Sequence, residues 1–192
     1  MLSLFIDFKC PASYLAFDPT VALASHLGTR VDWHAFRSRQ DRLPAERTDE
    51  TRGETHRRVR AGQRRATHLK YAGLRGVEMV FRDDPGESDV ALSALDCRLA
   101  DPLSFVWHAF RAYWVEGADL NDAPTVLSLL EKTGNPVRRI ELETAVASFD
   151  ARQTQLEEDG IFITPTYRLA DQMFVGREHL PLIERIMQKA VG

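Results

Sequence analysis

The 192-residue sequence predicts an α/β fold: a βαβ unit opens the chain, a block of helices follows, and a ββα unit closes it. Three observations carry this. Residues 2–8 form a short apolar run that Pro11 ends. Residues 30–36 alternate in polarity and are rich in Val, Trp and Phe. Residues 160–175 hold two apolar runs around a polar pair, and between these outer parts the apolar residues recur only at helical spacing.

The first run reads as a buried strand. Pro11 suits the first turn of a helix, because its missing N–H would have no partner there. From Ser13 to Leu27 the apolar residues keep helical spacing, and Gly28 is the expected stop. Pro19 predicts a kink or break near Asp18. Residues 30–36 are the second strand, and a crossover of this kind makes the two strands parallel.

Residues 38–54 read as a polar loop. Residues 54–71 predict a basic helix carrying Arg57, Arg58, Arg60, Arg64, Arg65 and Lys70, with a thin apolar stripe of Val59, Ala66, Leu69 and Ala72. Its charge is expected to be a solvated face, able at most to steer an anionic ligand. Residues 77–89 are a loop. Helices are expected over 90–100, 103–115, 123–133 and 136–156. Residues 160–169 and 173–175 predict a hairpin turning at Asp171-Gln172. Residues 178–191 predict a closing amphipathic helix. This order is that of a thioredoxin fold with an all-helical insertion: residues 1–45 and 155–192 form the thioredoxin-like part and 46–154 the insertion.

Composition narrows the function. With 44% hydrophobic residues the chain can bury a full core. A net charge of −3 gives no pull toward nucleic acid or an anionic membrane. Two cysteines, Cys10 and Cys97, are too few for a disulfide scaffold and imply reduced thiols in the cytoplasm. The first seven residues lack a basic segment and reach an acid, so no secretory signal is expected. The six histidines fit no metal-ligand spacing, and no metal is expected.

The chemistry concentrates at Cys10-Pro11-Ala12-Ser13, where strand turns into helix. A helix start offers free N–H groups and partial positive charge, which favour the reactive thiolate and lower its pKa. Ser13 is expected either to donate to that thiolate or to be an ordinary helix-start residue. Thr164-Pro165 predicts a second element. A proline there cannot donate to a ladder, and a cis bond would turn the Thr164 backbone toward the thiol. Cys97 reads as core, and the aromatic cluster Phe105, Trp107, Phe110, Tyr113 and Trp114 as core or a dimer surface, with part of the cluster available as an apolar wall above Cys10.

The opening Phe5-Ile6-Asp7-Phe8-Lys9-Cys10-Pro11-Ala12-Ser13-Tyr14-Leu15-Ala16 resembles the DsbA-like family. It is most similar to the branch of 2-hydroxychromene-2-carboxylate isomerases and kappa-class glutathione transferases. The closing segments Gly160 to Thr166 and Met173 to Leu180, and the central Trp114-Val115-Glu116-Gly117, resemble the same family. Dithiol members carry Cys-x-x-Cys, whereas Ser13 stands at the second position here. The isomerase branch carries Ser where Cys10 stands.

The resemblance implies glutathione as co-substrate, a homodimer, and a glutathione contact at Gly176-Arg177-Glu178, with Pro11, Thr164 and Pro165 completing the binding set. The leading expectation is a monothiol thiol–disulfide oxidoreductase acting on a small thiol or disulfide, with Cys10 as nucleophile and Ser13 as its donor. Cys10 could alternatively cycle through a sulfenic acid. A glutathione-dependent isomerase or transferase, and a non-catalytic binding protein, are the other two readings.

Overall fold

A computed structural model of the chain describes residues 1–39 and 49–189. The first strand, β1 (Leu2–Ile6), leads into α1 (Pro11–His26) and β2 (Val31–Ala35). Five helices follow: α2 (Arg52–Arg75), α3 (Asp89–Ala94), α4 (Pro102–Trp114), α5 (Ala123–Lys132) and α6 (Arg139–Glu158). The chain closes with β3 (Thr166–Leu169), β4 (Gln172–Val175), a 3-10 turn (Arg177–His179) and α7 (Leu180–Lys189). The four strands form one sheet in the order β2-β1-β3-β4. β1 and β2 are parallel, and the other two pairs are antiparallel.

Pleating divides the sheet into two faces. Leu2, Leu4 and Ile6 of β1, Trp33 of β2 and Tyr167 of β3 belong to the main core, which continues into α1 and the helices beyond β2. Phe5 lies on the other face and packs with Phe36, Ile161 and Leu156. Aromatic side chains join α1 and the turn before it to α4: Phe8 meets Phe110 edge-on at 5.2 Å, Tyr14 stacks on Trp114 at 5.8 Å, and Phe17 approaches Phe110 at 6.2 Å. Burying these rings stabilises the seat of the β1–α1 turn.

Several expectations change. Helix α1 runs unbroken through Pro19. It stops where Gly28 predicts: Gly28 follows the Leu27 C-cap with φ +60, and Thr29 N–H bonds back to Ala24 O at 2.9 Å. The helix expected over 90–100 spans only Asp89–Ala94, and the one expected from Pro136 begins at Arg139. Cys97 is half-exposed rather than core. The first hairpin strand begins at Thr166, not Gly160. The chain turns through Ala170 and Asp171, with Ala170 at φ +54, and Gln172 already belongs to β4. Part of the loop 38–54 and the end of the last expected helix lie outside the described residues.

Candidate active site

The β1–α1 turn is closed by Cys10 N–H bonding to Asp7 O at 3.0 Å. Cys10 is the N-cap of α1, in extended conformation, and Pro11 occupies the first helical position. Its sulfur lies 3.4 Å from the carbonyl oxygen of Thr164, and the Thr164-Pro165 bond is cis. The residues expected to form the thiol and its backbone clamp therefore meet, although 154 positions separate them. Ser13, one turn into α1, is fully buried and accepts from Asp7 N–H at 3.5 Å.

The thiol does not have the lowered pKa expected from its helix start. Burial pushes Cys10 up, and the nearby Asp7 charge adds to this. The Thr164 hydroxyl and the N–H and hydroxyl of Ser13 pull the other way without winning. Cys10 is 6% exposed, and desolvation of its thiolate is the largest of these influences.

Behind the thiol lies a polar hub that sequence reading missed. Asp7 is fully buried. Its Oδ1 accepts from Lys9 N–H at 2.9 Å and the Ser88 hydroxyl at 3.1 Å. Its Oδ2 accepts from Ser38 N–H at 2.9 Å and the Ser38 hydroxyl at 3.1 Å. The Thr164 hydroxyl donates to Ser38 Oγ at 3.0 Å, so Thr164 is tied through Ser38 to Asp7. Burial nevertheless holds the Asp7 carboxyl above the usual carboxylate range; Lys9 and the hydrogen bonds oppose this.

A cavity of about 300 Å³ opens over Cys10. Its floor is Cys10, Pro11 and Thr164, and Phe81, Tyr113 and Trp114 supply an aromatic wall. Helix α2 supplies Ala61, Arg64, Arg65 and His68. The basic helix is therefore not simply a solvated face. The small residues Ala61 and Ala72, eleven apart, mark its inward side, and Arg64, Arg65 and His68 share that side. That spacing was the available signal. The helix is fixed at one end by a Thr51–Glu54 capping box and at the other by Gly76 at φ +64. Arg65 lies over the Phe81 ring at 4.9 Å.

Gly176, Arg177 and Glu178 are not among the residues lining this cavity. Gly176 N–H bonds to Pro165 O at 2.9 Å, directly behind the clamp. The Arg177 guanidinium stacks on Tyr71 of α2 at 3.6 Å. Cys97 lines a separate surface groove with Pro136 and Arg138, and both cysteines are free. Among the described residues no cluster of His, Cys, Asp or Glu could hold a metal ion, and no helix is long and apolar enough to cross a membrane.

The DSBA-like thioredoxin domain family matches residues 1–188. The chain belongs to that family. No curated protein matches the sequence significantly. Among solved structures, a 2-hydroxychromene-2-carboxylate isomerase is 22% identical, with 99% of this chain and 95% of that one covered and a TM-score of 0.74. The cytosolic disulfide reductase DsbM from Pseudomonas aeruginosa, solved with GSH, is 20% identical over 98% of this chain and 97% of that one, with a TM-score of 0.58. These likenesses establish the thioredoxin fold that the element order predicts.

Proposed function

We propose that this DsbA-like protein is a monothiol thiol–disulfide oxidoreductase of the cytoplasm, with Cys10 as nucleophile and glutathione as the external thiol. The observation that carries the reading is the sulfur of Cys10, 3.4 Å from the carbonyl before cis-Pro165, on the floor of a cavity large enough for a small ligand. The Thr164 backbone is the clamp for an extended thiol ligand, and the basic wall suits the carboxylates of glutathione. The likeness to a disulfide reductase solved with GSH supports the choice of thiol.

The chemistry is two exchanges. The Cys10 thiolate attacks a mixed disulfide RS–SG; the Cys10–SG bond forms, the RS–SG bond breaks, and RS⁻ takes up the proton Cys10 released. With Ser13 in place of a resolving cysteine, a second glutathione must attack the Cys10–SG bond. It releases oxidised glutathione and restores the thiol. The sum is RSSG plus GSH giving RSH plus GSSG.

A second reading has its own support. Burial keeps Cys10 neutral at rest, and Phe81, Tyr113 and Trp114 line an aromatic wall. A neutral thiol donating to a bound glutathione thiolate, beside an aromatic acceptor, is the arrangement of a glutathione-dependent isomerase or transferase. Intact-mass measurement after exposure to oxidised glutathione, with Cys10→Ser as control, separates the two. A Cys10–glutathione adduct in the wild type and loss of turnover in Cys10→Ser are expected. Full glutathione-dependent turnover of an aromatic substrate by Cys10→Ser would overturn the redox reading.

A further inference from the structure

A thiol kept neutral by burial cannot attack until something takes its proton, and few of the groups lining the cavity can accept one. A guanidinium carries donors and no acceptor, which removes Arg39, Arg64, Arg65 and Arg82. Arg82 in addition donates to the carbonyls of Tyr113 and Ala118. Lys9 is ion-paired with Glu87 at 2.6 Å. The Tyr113 phenol is pushed up to about 12 by burial, and its hydroxyl donates to Pro85 O at 2.8 Å. Asp83 is an exposed carboxylate on the rim, and Asp7, behind the thiol, already accepts four hydrogen bonds.

One group remains. His68, half-buried on the α2 wall, lines the same cavity as Cys10. An imidazole is the side chain whose ordinary titration lies nearest neutrality. It stands one turn after Arg64, and the guanidinium of Arg177 is held near it by stacking on Tyr71 at 3.6 Å. Burial, Arg177 and Arg64, in that order, all hold His68 below the usual histidine value. Its unprotonated form, the one that can accept a proton, is therefore favoured at neutral pH.

We propose that His68 is the proton carrier of the Cys10 site, and that Arg177 is the positioning residue behind it. Resting on the thiol-exchange reading above, the step runs as a closed cycle. The Cys10 Sγ–H proton moves to an imidazole nitrogen, by way of water or ligand, as the sulfur pair forms the new S–S bond. The substrate disulfide breaks, and its departing sulfur takes the proton back from the imidazolium. No proton or electron is left over, and Arg177 touches neither sulfur.

The test is the pH profile of mixed-disulfide formation with oxidised glutathione in the wild type, His68→Gln and Arg177→Gln. General acid–base groups contribute about 10²- to 10⁴-fold. His68→Gln is therefore expected to slow formation at pH 7 by about 10²-fold or more, to lose the acid limb of the profile, and to be partly rescued by imidazole. Arg177→Gln is expected to shift the acid limb to higher pH, because a cation that opposes His68 protonation has gone. Alkylation of Cys10 at alkaline pH, where hydroxide removes the proton, reports whether each variant's site has formed: the wild-type rate marks a formed site, and a faster one marks an unfolded chain that exposes the thiol. A His68→Gln profile that overlays the wild type would overturn the proposal while leaving thiol exchange standing. Absence of any Cys10 adduct in the wild type would remove both.

Discussion

Asp7→Asn probes the hub beneath the thiol through two independent readouts. The carboxylate accepts four hydrogen bonds, two on each oxygen. An amide keeps one oxygen for Lys9 N–H and the Ser88 hydroxyl but turns an NH₂ toward Ser38. The Ser38 hydroxyl can rotate to accept from it; the Ser38 backbone N–H cannot. One buried donor is stranded, at a cost of about 1–3 kcal/mol. In a chain of this length that lowers Tm by roughly 2–4 °C per kcal/mol. Part is returned at neutral pH. Burial raises the folded-state carboxyl above its unfolded value of 3.8, so its contribution is complete below that value and lost as pH rises through the folded one. The deficit of Asp7→Asn against wild type should therefore widen as the pH is lowered. Removing the Asp7 charge also removes one cause of the raised Cys10 thiol, so iodoacetamide should modify Cys10 faster at fixed pH. Thermal denaturation and alkylation rates check both arms. A variant more stable than wild type in acid, or folded with unchanged Cys10 reactivity, would refute the reasoning.

Ser13→Cys restores a second thiol within the motif. After exposure to oxidised glutathione it should lose both motif thiols without retaining an adduct, whereas the wild type keeps one, as intact mass will show. Phe110→Ala removes a buried ring that joins Phe8, Tyr14 and Phe17, and should cost about 3–5 kcal/mol in denaturant unfolding. Tyr167→Phe deletes a hydroxyl that lies 2.7 Å from Thr20 Oγ1, whose own proton goes to Ala16 O, and should cost only about 0.5–1.5 kcal/mol.

The parts of the fold legible in sequence are those where one periodicity dominates. β1, α1 and β2 follow their apolar spacing to within about two residues. The run Ile161-Phe162-Ile163 misleads because composition cannot say which way a side chain points. Ile161 is fully buried under the sheet, while Phe162 is 72% exposed and Ile163 51% exposed in the loop before Pro165. Ala170 gives no turn signal, since a non-glycine residue rarely takes positive φ. Cys10 and Thr164 were visible because proline marks both. Asp7, Ser38 and Ser88 were not, because a hub assembled across 81 positions has no local spacing. The wrong expectation for the thiol has a similar origin: a helix start is written in the sequence, and the depth at which it is buried is not.

That depth also separates two routes for Cys10. Oxidation by peroxide to a sulfenic acid follows thiolate character and exposure, and Cys10 at rest is poor in both. On the proposed reading, exchange with a disulfide is less penalised, because a ligand seated in the cavity would hydrogen-bond the Thr164 backbone and lay its carboxylates along the α2 arginines before sulfur meets sulfur. A thiol guarded in this way would discriminate by binding rather than by intrinsic reactivity. At pH 7, dilute hydrogen peroxide should therefore modify Cys10 more slowly than it modifies free glutathione, while oxidised glutathione gives the adduct with a rate that saturates with concentration. Both rates can be read by quenched intact-mass kinetics. Peroxide modification faster than that of free glutathione, or a disulfide reaction that stays strictly second-order, would mean that the cavity plays no part in selecting what reaches the sulfur.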